Sequence, residues 1–266
     1  MLKNQRGIAP IILIIILTIV IVGVGAVYQS RKEIKVRSDK TSEVTELKGM
    51  PTPGPKKEDI NLADSGRLAE KPVEFKADSS ESSPKFSITP PAGWEKKASE
   101  GNIAAEFLSP LRDKVEEGLA WIDLPPGITV RVIKAEFQSL EEAVESSVRT
   151  SSAGVTITGK QKIKVNGEDA YAVDFTMDIR DTAQSIMESQ IQEEIANAKK
   201  AGKDVSQKEA REDMGKVLLK AKTKALSYVF YKNGYHVTVT GRALESFWDK
   251  RGLQIKQSLD TFKFLP

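Results

Sequence analysis

One histidine and no cysteine set the limits of the chemistry this sequence can carry. Without a thiol there is no disulfide, no thiol nucleophile and no cysteine-ligated metal, and His236 alone cannot supply a site that needs two imidazoles. Three arrangements of reactive side chains remain. Tyr231 and His236 flank Asn233-Gly234, and a two-residue turn there sets them opposite each other across a hairpin. No acid or base can be named to complete that pair, so it reads as a surface contact and a candidate for partner binding, not as a catalytic couple. Serines and lysines are numerous, so a Ser-Lys pair of the kind a membrane-associated hydrolase or peptidase would use arises readily by coincidence. It stands as the alternative to a non-catalytic role. Asp174, Asp178 and Asp181 could approach a cation, but Asp174 and Asp178 sit at i and i+4 on one strand face, about 13 Å apart, too far to share an ion without a loop. No metal or cofactor site is expected.

Charge narrows the partners. With 40 basic and 37 acidic residues among 266, the net charge is +3 and no face reads as a nucleic-acid footprint. Lys160, Lys162 and Lys164 alternate as the solvated face of a strand.

The elements that must hold these residues are mostly strands. Phe86-Ser87-Ile88-Thr89 alternates apolar and polar before Pro90-Pro91-Ala92-Gly93-Trp94, a turn whose tryptophan caps the core. Ala104–Leu108 and Leu119–Ile122 read as short strands. Ile128, Val130 and Val132 alternate with Thr129 and Arg131, as in a half-buried strand. A helix follows over Leu140–Val148, opened by a Ser139/Glu142 capping box and turning Leu140, Ala143, Val144 and Val148 to the sheet.

Parity registers the two hairpins. Val155, Ile157, Ile163 and Val165 are apolar at odd positions, as are Tyr171, Val173, Phe175, Met177 and Ile179. A two-residue Asn166-Gly167 loop would pair Ile163 with Ala170 and set the two apolar groups on opposite faces. The pattern therefore predicts a three-residue bulged turn with Gly167 left-handed, and a lysine face shared with Ala172, Asp174 and Thr176. At Asn233-Gly234 a two-residue turn pairs Phe230 with Val237 and Tyr228 with Val239, apolar against apolar. The chain closes with a helix over Ala243–Leu259, marked by Leu244, Phe247, Trp248 and Leu253, and a short strand carrying Phe262 and Phe264.

Residues 181–225 break the strand rhythm. Ala183, Ile186, Met187, Ile191, Ile195 and Ala198 recur at three and four, Ala201-Gly202 interrupts, and a Ser206/Glu209 capping box opens a second run through Ala210, Met214, Val217, Leu218 and Ala221. An antiparallel helical hairpin is implied. Its apolar stripe lies either on the sheet or the other helix, or on a partner, and the candidate contacts are Ile186, Ile191, Ile195, Met214 and Leu218, with self-association through the hairpin as a variant.

Ahead of all this, Ile8–Tyr28 carries no charged residue and is long enough to cross a bilayer as a helix, which takes about 20 residues. Lys3 and Arg6 in the short start, residues 1–7, make a basic flank, and Gly23-Val24-Gly25 offers a cleavage site, so both an uncleaved anchor and a cleaved signal fit. The full apolar length favours the anchor. Arg31, Lys32, Lys35, Arg37 and Lys40 follow the span and argue for a cytoplasmic C-terminus, whereas a short basic start is the usual layout that leaves the large domain outside. Residues 29–84, with Pro51-Thr52-Pro53-Gly54-Pro55 and a serine-rich run, read as a disordered tether, and 85–266 as the globular domain.

The quoted pieces resemble the PsbP/Mog1-like family, which includes bacterial proteins related to the photosystem II extrinsic subunit and the DcrB type. The resemblance rests on FSITPPAGW at Phe86–Trp94, FLSP at Phe107–Pro110, ITVRVI at Ile128–Ile133, the hairpins at Asn166-Gly167 and Asn233-Gly234, and SLDTFKF at Ser258–Phe264. It implies an α+β domain in which an antiparallel β-sheet is sandwiched by helices (α/β/α), with a non-enzymatic accessory or binding role. The helical hairpin departs from the family pattern. Together these readings predict a bacterial single-pass cell-membrane protein held in the lipid bilayer through Ile8–Tyr28. Its non-catalytic domain lies outside the cytoplasm and engages a protein or cell-envelope partner.

Overall fold

The computed structural model describes residues 65–76, 83–98, 101–118, 120–134, 139–149, 154–202 and 206–266, all within the compact unit Lys57–Pro266. The Ile8–Tyr28 segment lies outside them, and among the described residues no helix is long and apolar enough to cross a membrane. The strands are β1 (Val73–Lys76), β2 (Lys85–Ile88), β3 (Glu95–Lys97), β4 (Ile103–Leu108), β5 (Asp113–Glu117), β6 (Ala120–Leu124), β7 (Gly127–Lys134), β8 (Val155–Val165), β9 (Glu168–Asp178), β10 (Lys222–Lys232), β11 (Tyr235–Leu244) and β12 (Lys263–Leu265). The helices are α1 (Leu140–Arg149), α2 (Arg180–Lys200), α3 (Gln207–Leu219) and α4 (Trp248–Asp260).

The fold is α+β and every strand pair is antiparallel. Seven strands form the main sheet in the order β3-β4-β7-β11-β10-β9-β8. One face carries the principal core. Ile128, Val130, Val132, Tyr228, Phe230, Val237 and Val239 meet Ile255 and Leu259 of α4 and a small β1-β2-β12 sheet. An aromatic chain welds that small sheet on, with Phe230–Phe262 and Phe86–Phe262 ring centroids 4.8 and 5.5 Å apart. On the opposite face, Val144 of α1 packs against Val173 and Val229, so helices lie on both sides. The Ser139 hydroxyl accepts from Glu142 N at 3.2 Å and caps α1 as its sequence foretells.

β1 falls inside the stretch read as tether. Its Val73 and Phe75 pair with Ile88 and Phe86, and Phe75 stacks on Phe86 at 5.7 Å, a contact the charged neighbours Glu74 and Lys76 hide in the sequence. Trp94 is buried, after a turn with Gly93 at φ +76°.

The Asn233-Gly234 turn has the expected two-residue form, pairing Phe230 with Val237 and Tyr231 with His236. The first hairpin differs from expectation. Asn166 (φ +50°) and Gly167 (φ +89°) are both left-handed in a two-residue loop that pairs Val165 with Glu168 and Ile163 with Ala170. The extra residue sits further up β8, between Ile157 and Gly159, and beyond it odd pairs with odd: Ile157 with Phe175 and Val155 with Met177. The bulge switches the odd residues of β8 between faces, so Ile163 and Val165 join the main core while Ile157 packs under α1. The tight primed turn matches strand twist, and the parity conflict is absorbed inside the strand. Lys160, Lys162 and Lys164 are exposed as expected, but lie opposite Val173, Tyr171 and Asp169.

The last helix also begins later than its periodicity suggests. Ala243 and Leu244 complete the ladder with Lys224 and Thr223, a 3₁₀ turn spans Glu245–Phe247, and Leu253 is left 68% exposed. α4 turns Ile255 and Leu259 inward instead, and the Ser258 hydroxyl donates to Thr89 O at 2.7 Å.

Candidate functional site

The helical hairpin and the β5–β6 ribbon build a second core. Ala183, Met187 and Ile191 of α2 and Ala210 and Val217 of α3 surround Val115, Ala120 and Leu124 of the ribbon, with Leu244 closing the cluster. Among the five candidate partner contacts of the hairpin, Ile191 is buried there and Ile195, Met214 and Leu218 pack against it, while Ile186 is half-buried outside the cluster. In this arrangement the stripe holds the hairpin to the ribbon. Gly118, at φ +52°, lets the ribbon turn approach α3 so closely that a Cβ would sit 1.9 Å from Asp213 Oδ2. A buried ion pair ties the ribbon to α4: Arg251 Nε lies 3.2 Å from Asp113 Oδ1. Burial raises the Asp113 carboxyl above its ordinary range, and the adjacent guanidinium pulls partly the other way.

The other reactive candidates have separate surroundings. Asp178 accepts from Arg180 Nε at 2.9 Å, and the arginine holds its carboxyl below the ordinary range. Asp174 sits beside the β8 bulge, within 3.2 Å of where a Gly159 Cβ would be. Among the described residues no group of three His, Asp or Glu side chains could hold a metal ion. The buried Ser227 hydroxyl pairs with Thr240 Oγ1 at 2.5 Å. Lys162, Lys164 and Lys232 are paired with Glu141, Asp169 and Glu168. A surface depression near the start of α1 is lined by Glu141, Lys162, Glu168, Asp169 and Tyr231, and each of its three carboxylates is paired with a lysine, two of them with Lys164 and Lys232 outside the lining.

Tyr231 and His236 do share a place, on the α1 side of the sheet, and this face has a composition unlike its reverse. Register puts His236 beside Ile133, Thr238 beside Arg131, Thr240 beside Thr129, and Arg242 beside Gly127. Across β4, Glu106 stands opposite Thr129, midway between the two arginines along the strands. Thr129, Arg131, Ser227 and His236 are buried, and Glu106, Thr238, Thr240 and Arg242 are half-buried. Burial pushes the Arg131 guanidinium down to about 10, with Glu106 opposing the shift and Arg242 reinforcing it; it remains a cation at neutral pH. Burial lowers Arg242 as well. The His236 imidazole is pushed down to about 4 by burial and is neutral at pH 7.

The sequence marks Thr129 and Arg131 as the outer positions of an alternating strand, and alternation alone cannot separate a buried polar face from a wetted one. A usable signal exists in the parity of the second hairpin. The same rule that pairs Phe230 with Val237 gathers His236, Thr238, Thr240 and Arg242 on one face of one strand.

No family model matches the chain, and no curated protein matches it. Among solved structures the chain is similar to the solution structure of cyanobacterial PsbP (CyanoP) from Synechocystis sp. PCC 6803, at 12% identity and a TM-score of 0.39, over 74% of this chain and 94% of that one.

Proposed function

We propose that this chain is a single-pass membrane protein that holds a non-catalytic, PsbP/Mog1-like binding domain outside the cytoplasm, where it engages a protein or cell-envelope partner. The anchor rests on the uncharged length of Ile8–Tyr28. The family reading is supported by the places of the motif pieces. FSITPPAGW makes β2 and its turn, ITVRVI lies in the central strand β7, and SLDTFKF joins the end of α4 to β12.

The observation that carries the binding reading is the polar α1-side face of the main sheet. The buried Thr129, Arg131, Ser227 and His236 gather there on three central strands whose reverse side carries the apolar core. A rigid platform of this kind suits recognition.

Fractionation of cells making the full chain tests the anchor: it is expected with the membranes, released by detergent and retained in high salt. Protease added to intact cells is expected to remove the domain. Full-length chain in the soluble fraction, with its front end intact, overturns the anchor. Site-specific photo-crosslinking from Thr238 in native membranes tests the face. A discrete adduct absent from a Leu253 control supports binding there, and identical patterns from both positions refute it.

A further inference from the structure

We propose that Asn233 is a site of spontaneous deamidation and isomerisation, and that the fold shields the other Asn-Gly dipeptide, Asn166-Gly167, from the same reaction. Both dipeptides form the tip of a two-residue hairpin loop, and their asparagines share one backbone conformation, with φ +50° at Asn166 and +52° at Asn233. A glycine after asparagine leaves the peptide nitrogen unscreened by a following side chain. Both asparagines are exposed, and a Cβ on either glycine would meet nothing within 4 Å, so solvent reaches the two sites alike.

Their side chains differ. Asn166 Nδ2 donates to Phe262 O at 2.7 Å and to Asp260 O at 3.1 Å, which fastens that loop to the turn between α4 and β12. Asn233 makes no side-chain hydrogen bond among the described residues. The reaction begins when the Gly234 backbone nitrogen gives its proton to solvent and attacks Asn233 Cγ. A C–N bond forms, the Cγ–Nδ2 bond breaks, and ammonia leaves with a proton taken from solvent, closing a succinimide. Water then opens the ring. Addition at Cγ breaks the new bond and gives aspartate. Addition at the Asn233 carbonyl carbon breaks the original peptide bond and gives isoaspartate, whose chain runs through Cβ and Cγ. At Asn166 the amide must first release both carbonyls, and the carboxylate formed would return no donor to them. No such cost opposes the reaction at Asn233.

Either product adds a negative charge beside Lys232, whose ammonium already holds Glu168 at 2.6 Å. Isoaspartate also lengthens a two-residue turn by one backbone carbon. The Lys232–Tyr235 pair that closes the loop then loses its spacing, and Tyr231 and His236 are the next pair along the hairpin. The modification therefore acts where those two candidate contacts stand.

Full-length protein in a neutral detergent is held in mildly alkaline heavy-oxygen water, either folded or in urea. It is then digested in ordinary water and mapped by mass spectrometry, with fragmentation that separates isoaspartate from aspartate. In the folded protein, label is expected to enter at 233 at least fivefold faster than at 166 and to appear in both products. In urea the two rates are expected to converge. An Asn233→Gln variant is expected to take up no label at that position and to leave the rate at 166 unchanged. Hydrogen exchange over 231–236 is expected to quicken in the isoaspartate fraction.

Equal rates at the two sites in the folded protein, faster entry at 166, or no label at 233 after the urea-treated protein has converted overturns the proposal. A preference for 233 that persists undiminished in urea overturns the shielding, since neighbouring sequence and not the Asn166 hydrogen bonds would then set it. Unchanged exchange over 231–236 in the isoaspartate fraction overturns the loosening of the hairpin end.

Discussion

His236 couples the stability of this fold to pH in a direction its surroundings dictate. In the unfolded chain an imidazole takes up a proton near pH 6.5, whereas the buried ring does so only near 4. Between those values the unfolded chain binds the additional proton, so this group's contribution is complete above about pH 6.5 and is lost as pH falls toward 4. The full difference corresponds to about 3 kcal/mol. Asp113 acts with the opposite sign, because its raised carboxyl keeps a proton in the folded state after the unfolded chain has released it. The expected outcome is that His236→Gln flattens the fall in urea midpoint between pH 7 and 4.5, while Asp113→Asn steepens it. Urea denaturation of the three proteins at both pH values checks this. The chain has no other imidazole to confuse the measurement.

At the scale of elements, α4 and β11 approach so closely that a glycine is obligatory between them. A Cβ on Gly241 would stand 2.0 Å from Ile255 Cγ2 and 3.3 Å from Leu259 Cδ1. Gly241→Ala is therefore expected to cost about 1–3 kcal/mol by overpacking, and to cost less in an Ile255→Ala background, which lacks the clashing Cγ2; thermal or chemical denaturation of the single and double variants measures both. The second core gives a different signature. Ile191→Ala removes a buried side chain from the hairpin–ribbon cluster, at an expected cost of about 2–5 kcal/mol within that cluster. Hydrogen exchange should then show lost protection over 113–124 and 180–219 while β7, β10 and β11 stay protected; loss spread evenly over the main sheet would refute the separation.

Much of this layout was legible in the sequence. The Asn233-Gly234 hairpin follows from parity, and α1 and α3 follow from their capping boxes. The Asn166-Gly167 hairpin departs from the predicted three-residue turn because a bulge in mid-strand leaves the same parity as a longer turn. β3 and β5 were not legible at all, since Glu95-Lys96-Lys97 is fully polar and Asp113–Glu117 has a single buried apolar side chain, Val115. For the candidate site, Tyr231 and His236 were found from the turn. Arg131 was seen only as an outward residue, because its burial depends on the whole face around it.

Across the whole described domain, the two long excursions leave from one end of the main sheet. β4 and β7 pair up to Leu108 and Gly127, and β9 and β10 up to Asp178 and Lys222. At the root of each excursion the chain comes back within a hydrogen bond of where it left: Ser109 N donates to Pro126 O at 2.9 Å and Ile179 N to Ala221 O at 3.0 Å. The ladders therefore close beneath both insertions without help from either, and the ribbon and the helical hairpin meet one another as neighbours added above a finished sheet. Such roots are natural splice points. A fluorescent reporter or a short purification tag could take the place of the helical hairpin and the ribbon together, at ends already held side by side, with Arg251 made neutral to match the loss of Asp113.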